Sequence, residues 1–294
     1  MRLRLDIAYD GTDFSGWAAQ PDRRTVAGEL DTALVTVLRS PVPMVVAGRT
    51  DAGVHASGQV AHIDVDPVAL DRLAPRRSAD GNADPSGCDG LRRRLAGLLP
   101  PDVRVRAVRV APDGFDARFG ALRRHYEYRI ALTDWGVDPL HRVGVLALGR
   151  PLDTGRMARA ATALLGLHDF AAFCRPRTDV TGRPASTVRE LQRLDVLSGD
   201  DLVTLRVSAD AFCHSMVRAL VGMLVRVGLG QEDVAAPAQL LAGRARTSRV
   251  STAPARGLTL VGVDYPADED LAERVRTTRA LRDPLPPDGA PEFP

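Results

Sequence analysis

The chain has 294 residues, of which 45% are apolar and 26% are charged, and its formal net charge is +2. This length suggests about two domains, and the composition is that of a folded protein rather than a disordered one. All 39 basic residues are arginine. Without a lysine to serve as Schiff base or phosphate clamp, the chain cannot be a pyridoxal-phosphate enzyme, a lysine-type aldolase or a P-loop NTPase.

The three cysteines, Cys88, Cys174 and Cys213, are far apart in the sequence and form no metal-binding pattern with histidine. We therefore expect no metal site and no disulfide framework, as in a protein of the reducing cytoplasm. The amino-terminal segment lacks the apolar stretch of a signal peptide. The most apolar segment, residues 216–230, contains two arginines and is too short to span a membrane. These features predict a cytoplasmic protein with no membrane association.

Residues 1–111 are predicted to form an amino-terminal half of strands and helices. Alternating apolar residues predict strands over 3–9, 42–47, 59–65 and 103–110. Apolar residues at helical spacing predict helices over 26–38, capped by Thr25, and over 91–98. Residues 75–90, which are rich in Pro, Gly and Asp, predict a disordered surface insertion.

Residues 112–265 are predicted to repeat this order of elements as a carboxy-terminal half. The patterns predict strands over 124–132, 188–197, 202–209 and 257–265, and helices over 153–165 and 212–229. Two similar halves, with mostly antiparallel sheets flanked by helices, make an α+β protein with a central cleft. Residues 266–294, rich in proline and charge, predict a loosely held tail.

The charge is unevenly distributed along the chain. Residues 91–129 hold ten arginines against four acidic residues, whereas residues 264–294 hold four against eight. Such a charged segment is usually a solvated surface. However, this one includes the predicted strand that carries Tyr126, and arginine together with tyrosine can bind phosphates and stack on bases. The segment is therefore a candidate nucleic-acid surface.

The loop around Asp51 is the strongest candidate for a chemical site. Gly48 and Gly53 allow tight backbone geometry on either side of it, and Arg49 can keep its carboxylate ionised. Taken alone, Asp51 could equally close a hairpin as an Asx turn. A phosphate loop is a third, weaker interpretation, because there is no GxGxxG motif and no lysine.

The same loop belongs to a series of motifs by which the chain resembles the bacterial tRNA pseudouridine synthase A family. The longest match is AGRTDAGVH at 47–55, and the matches occur in order over residues 2–265. The others are YDG at 9–11, GW at 16–17 with Gln20, GQV at 58–60, LLPPDV at 98–103, FDARF at 115–119, RHYEY at 124–128, FCHSMVR at 212–218, GLTL at 257–260 and VDY at 263–265.

The resemblance implies the pseudouridine synthase fold with a central RNA-binding cleft. It also implies isomerisation of uridine to pseudouridine in the anticodon stem-loop of tRNA, at positions 38 to 40, by a homodimer. Asp51 corresponds to the nucleophilic aspartate of the family. It can attack C1′ or add at C6, and the sequence leaves both routes open. The reaction involves no redox change and no hydrolysis, so no cofactor is expected.

The resemblance assigns roles to four further residues. Arg218 corresponds to the arginine that pairs with the aspartate, and Tyr126 to the tyrosine that stacks on the target uracil and can accept the C5 proton. Leu258 corresponds to the leucine on the other face of the base. Arg49 corresponds to the arginine that fills the gap left by the flipped base. Without the resemblance, Arg218 would pass as a snorkelling helix arginine, Tyr126 as a core aromatic and Leu258 as an ordinary buried strand residue.

The sequence differs from the family pattern at two places, and three alternative functions are also consistent with it. Ser215 stands where the family commonly has histidine, and Ala96 and Gly97 lie where it often has asparagine. The rivals are an RNA-binding module without catalysis, a phosphate-loop enzyme acting on a nucleotide, and the same isomerisation on another RNA.

Overall fold

The protein is built around one large sheet, as seen in a computed structural model that describes residues 1–74, 86–178, 182 and 185–280. In the described residues the sheet has ten strands, in the order β4-β1-β3-β10-β5-β9-β8-β7, with β2 beside β3 and β6 beside β5. The strands are β1 Arg2–Tyr9, β2 Met44–Val46, β3 His55–Asp64, β4 Val103–Val110, β5 Arg123–Ala131, β6 Leu146–Ala147, β7 Gly166–Asp169, β8 Val188–Ser198, β9 Leu202–Ala209 and β10 Leu258–Asp264.

Helices accompany this sheet in both halves of the chain. They are α1 Val26–Leu38, α2 Pro67–Asp71, α3 Cys88–Leu98, α4 Thr154–Thr162, α5 Met216–Gly228, α6 Ala236–Gly243 and α7 Leu271–Ala280. Two of them begin at residues that the sequence marks as caps. The Gly28 N–H donates to the Thr25 hydroxyl (3.2 Å), and the Arg156 N–H donates to the Asp153 carboxylate (2.8 Å). None of the helices in these described ranges combines the length and apolarity needed to cross a lipid bilayer.

The strands of the two halves join through β10. This strand comes late in the chain but lies between β3 and β5, parallel to β3 and antiparallel to β5. At Gly58 the two backbones approach so closely that a Cβ atom would lie 2.2 Å from the Val261 carbonyl oxygen. The mostly antiparallel α+β architecture is confirmed, but the predicted sheets of the two halves form one continuous sheet.

The hydrophobic core also extends across both halves. The alternating residues Leu3, Leu5 and Ile7 of β1 are fully buried, as are Leu220 and Leu224 of α5, and all belong to one apolar cluster. Complete burial of each such side chain contributes about 1.5–3 kcal/mol. The core therefore holds the two halves of the sheet, and the site between them, in a fixed relation.

Among the differences between the predicted and observed elements, three concern helices. Helix α3 begins at Cys88, inside the predicted insertion 75–90, of which residues 75–85 lie outside the described part. Helix α5 begins at Met216 rather than at residue 212, because Ser215 has a left-handed backbone (φ 62°) that no helix can include. Part of the predicted tail is the helix α7, which buries Leu271. The division into 1–111, 112–265 and 266–294 stays a prediction.

The expectation of no disulfide is wrong. Cys174 and Cys213 are joined, with their Cα atoms 5.7 Å apart, although 39 residues separate them in sequence. Cys174 follows the short 3-10 helix Ala171–Phe173, and Cys213 lies in the loop before α5. The spacing of the cysteines in the sequence does not indicate this pairing, because only the tertiary fold brings the two segments together.

We predict that Gly58→Ala destabilises the protein, because the new methyl group must push β3 away from the Val261 carbonyl of β10. The expected loss is about 2 kcal/mol in the free energy of unfolding, as for an overpacked core. Urea denaturation measures it. The matched control is Gly97→Ala in α3, where a Cβ meets nothing within 4 Å. Equal stability of the two variants would show that the β3–β10 contact can accommodate a methyl group.

Candidate active site

Asp51 lies in the loop of residues 48–54, which joins β2 to β3. The loop is held to the segment after β1 by backbone hydrogen bonds. The Trp17 N–H donates to the Thr50 carbonyl (3.1 Å), and the Gly53 N–H donates to the Phe14 carbonyl (3.2 Å). Gly53 has φ 75°, a conformation that a glycine adopts without strain. The loop has a defined shape, and Asp51 sits at a fixed position in it.

Hydrogen bonds from buried polar side chains also hold the Asp51 loop in place. The Tyr9 and Thr50 hydroxyls are 2.7 Å apart, and the Gln59 amide donates to the Gly48 carbonyl (2.8 Å). The Arg124 guanidinium is 7% exposed and donates to the Ala47 carbonyl (2.8 Å). Because a buried polar group is costly unless it is hydrogen-bonded, these contacts make the loop geometry well determined.

A second segment reaches Asp51 from the other half of the chain. We call residues 210–215 the site loop; it connects β9 to α5. The Ser215 hydroxyl donates to Asp51 Oδ2 (3.1 Å), and His214 Nε2 lies 3.5 Å from Asp51 Oδ1. The Asp51 side chain keeps 29% of its surface exposed. A carboxylate in this position is both anchored and accessible.

The structure brings Arg218 to Asp51, as the family resemblance implies. Its Nη1 lies 3.8 Å from Asp51 Oδ2, and its Nε donates to the Ala253 carbonyl (2.7 Å). The Ala253 N–H in turn donates to the Arg218 carbonyl (2.9 Å). The guanidinium is therefore oriented by the backbone that leads into β10, and it faces the carboxylate as an ion pair.

Tyr126 and Leu258 lie on the neighbouring strands β5 and β10, where Leu258 pairs with Tyr128 and Leu260 pairs with Tyr126. Both Tyr126 and Leu258 are buried, Tyr126 with 8% of its surface exposed. Burial raises the pKa of Tyr126 well above its usual value, and the nearby charges of Tyr9 and Asp51 raise it further. The phenol is therefore protonated at neutral pH.

Arg49 is on the same loop as Asp51, and its side chain is exposed to solvent. Of the five residues to which the resemblance assigns roles, Asp51 and Arg218 form an ion pair between the two halves of the chain. Tyr126 is near enough to interact with Asp51, and Leu258 lies on the strand next to that of Tyr126.

The surroundings of His214 show that the site is cationic. Burial lowers the pKa of His214, and Asp51 opposes this shift while Arg177, Arg175 and Arg218 reinforce it. The imidazole is therefore neutral at pH 7, and the positive charge near Asp51 comes from guanidinium groups.

His55 connects two of the segments that surround the site. The Gly11 N–H donates to His55 Nδ1 (3.0 Å), so its Nε2–H donates to the Arg256 carbonyl (3.1 Å). The buried ring thus links the segment after β1 to the segment before Leu258. Among the described residues no three His, Cys, Asp or Glu side chains are grouped so as to hold a metal ion.

Four residues with important contacts were not singled out as site residues from the sequence: Ser215, His214, Gln59 and Arg124. All four lie inside the motifs that carry the resemblance, which is the signal that could have identified them. Ser215 was noted only as a departure from the family pattern. Its contact with Asp51 depends on the left-handed turn before α5, which no spacing rule indicates.

Comparisons with known proteins agree with this geometry. A model of the tRNA pseudouridine synthase family matches residues 160–266. A protein of Mycobacterium leprae named tRNA pseudouridine synthase A is 52% identical over 96% of this chain and 96% of its own length. One of Frankia casuarinae with the same name is 51% identical over 98% of each chain.

Among solved structures, the crystal structure of the archaeal box H/ACA sRNP Nop10-Cbf5 complex aligns with 95% of this chain and 55% of that chain, at 11% identity and a TM-score of 0.34. That similarity is too low to bear on function. The curated relatives, in contrast, share half of their residues with nearly the whole of this sequence. The chain therefore belongs to the tRNA pseudouridine synthase A family.

Proposed function

We propose that this protein isomerises uridine to pseudouridine in the anticodon stem-loop of tRNAs, at positions 38 to 40, with Asp51 as the nucleophile and without a cofactor. The enzyme works in the cytoplasm as a homodimer, with one tRNA in contact with both subunits. The observation that supports this most directly is the Asp51 carboxylate held by Ser215 and faced by Arg218, in a chain with such close relatives.

The arrangement suits the chemistry of the isomerisation. The bond between N1 of uracil and C1′ of the ribose must break, the base must turn, and a bond from C5 to C1′ must form. A carboxylate that attacks C1′ or adds at C6 divides this into easier steps. Asp51 must be charged for either route. Arg218 supplies the opposing charge, and the Ser215 hydroxyl holds one carboxylate oxygen in place.

The residues around Asp51 are suited to bind the uracil base. In the proposal, Tyr126 stacks on one face of the uracil and Leu258 contacts the other, while Arg49 fills the gap in the RNA after the base has left its stack. The proximity of Tyr126 to Asp51 supports its place beside the base.

The basic segment 91–129 contributes in two ways. Several of its arginines serve the fold: Arg109 pairs with Asp6, Arg123 with Asp264, and Arg124 is internal. Others, including Arg93, Arg94 and Arg118, are exposed. We propose that exposed arginines of this kind contact the tRNA phosphates, since guanidinium groups bind phosphate oxygens in pairs.

We predict that Asp51→Asn abolishes the isomerisation, because the amide keeps the shape of the carboxylate but is not a nucleophile. Tritium release from tRNA labelled at C5 of uridine should fall by about 10³-fold or more. The control is Asp71→Asn in α2, an exposed position, which should keep wild-type activity. Mass spectrometry after chemical labelling of pseudouridine locates the modified positions.

Two outcomes would contradict the proposed function. If the wild-type protein binds tRNA but yields no pseudouridine, it is an RNA-binding module. If Asp51→Asn keeps near wild-type turnover, another residue is the nucleophile.

We predict that Ser215→Ala lowers kcat by about tenfold with little change in KM, since a hydrogen bond to a charged group contributes about 1.5 kcal/mol. Ser215→Gly is the matched variant. It also lacks the hydroxyl, but it relieves the left-handed backbone. If the hydroxyl is what matters, both variants lose kcat alike. A loss in Ser215→Ala with full activity in Ser215→Gly would show that only the backbone conformation is important.

A further inference from the structure

The disulfide between Cys174 and Cys213 lies next to the active site. Its Cα–Cα distance of 5.7 Å is within the normal range for a disulfide. Cys213 is in the site loop and immediately precedes His214 and Ser215, the two residues of that loop that reach Asp51. The cross-link therefore joins the segment after the 3-10 helix Ala171–Phe173 to the loop that contacts the catalytic carboxylate.

A backbone hydrogen bond parallels the disulfide. The Arg175 N–H donates to the His214 carbonyl (3.0 Å), one residue from each cysteine. The site loop is also held at its start, where Arg124 donates to the Asp210 carbonyl. The loop also has the Ser215–Asp51 hydrogen bond and a backbone hydrogen bond from the Met216 N–H to the Cys213 carbonyl (3.1 Å). The disulfide adds a covalent restraint to these non-covalent contacts.

The site loop also restricts access to Tyr126. Phe212 packs at right angles to the Tyr126 ring, with the ring centres 5.2 Å apart. Because Tyr126 is only 8% exposed, a uracil cannot stack on it in this arrangement. Residues in contact with Tyr126 must move first, and Phe212 belongs to the loop that the disulfide restrains. A covalent link at Cys213 opposes this movement.

We propose that Cys174 and Cys213 form a reversible thiol–disulfide site that controls the access of uridine to the catalytic centre. In the disulfide form the site loop keeps Phe212 against Tyr126, and uridine binds slowly. In the dithiol form the loop opens and the enzyme is fully active. The effect on activity rests on the proposed function, whereas the cross-link and its effect on loop mobility do not.

The chemistry requires an oxidant, and a small-molecule disulfide such as glutathione disulfide provides it. Cys213 is the partly exposed member of the pair, whereas Cys174 is 1% exposed. The Cys213 thiolate attacks one sulfur of the oxidant and releases one thiol. The Cys174 thiolate then attacks the Cys213 sulfur of this mixed disulfide and releases the second thiol. The two cysteines lose two electrons and two protons, which the two released thiols carry.

The test compares full-length protein reduced with dithiothreitol and protein oxidised with glutathione disulfide. Alkylation under denaturing conditions and intact mass give the number of free thiols, which should fall by two on oxidation. Tritium release from C5-labelled tRNA should show a kcat/KM about fivefold lower in the oxidised protein, as the binding-competent fraction falls. Reduction of the oxidised protein with dithiothreitol should restore kcat/KM. Hydrogen exchange of residues 210–215 should be slower in the oxidised form.

Single variants assign the effect to this pair. Cys174→Ala and Cys213→Ala should remove the response to oxidant in both activity and hydrogen exchange. Cys88→Ala should retain it, because Cys88 is a buried cysteine of α3 outside the cross-link.

The proposal is overturned if oxidation leaves three thiols, if Cys174→Ala responds like the wild type, or if the disulfide forms without slowing either exchange or turnover. Failure of the proposed function has a different signature. The reduced protein would then yield no pseudouridine, while thiol counting and hydrogen exchange would still show whether the cross-link restrains the loop.

Discussion

The pairing of β10 with β3 is the contact on which the rest of the site depends. It places a strand from the end of the chain against the strand that follows the Asp51 loop, at a distance that only Gly58 permits. The same strand pairs with β5 on its other edge. As a result, Asp51, Tyr126 and Leu258, which come from three distant parts of the sequence, occupy one end of a single continuous sheet.

The second constraint is electrostatic. A nucleophilic carboxylate must stay ionised in a partly enclosed site, and this chain offers only arginine as a permanent side-chain cation. Arg218 meets this need as a partner that the backbone at Ala253 orients, and the arginines that lower the pKa of His214 add positive charge around it. The same groups favour a phosphate-bearing substrate. In the proposed function, the arginines around Asp51 therefore also help to attract the RNA.

The site loop joins these two constraints. Its last residue, Ser215, adopts a left-handed backbone that ends the loop and directs the hydroxyl to Asp51. Cys213 ties the loop to a distant segment, and Phe212 covers Tyr126. One loop of a few residues thus holds the Asp51 carboxylate, packs on the Tyr126 ring and carries a cysteine whose partner is 39 residues away.

Most of the secondary-structure elements and the family could be predicted from the sequence. Alternation and helical spacing predicted most strands and helices within a few residues, since these are local properties, and the motifs around Asp51, Tyr126 and Arg218 identified the family. The three-dimensional fold was needed to show that the strands of the two halves share one sheet, that residues 212–215 form a loop rather than a helix, and that Cys174 contacts Cys213. These features depend on contacts between residues that are far apart in the chain. Local sequence patterns do not indicate such contacts.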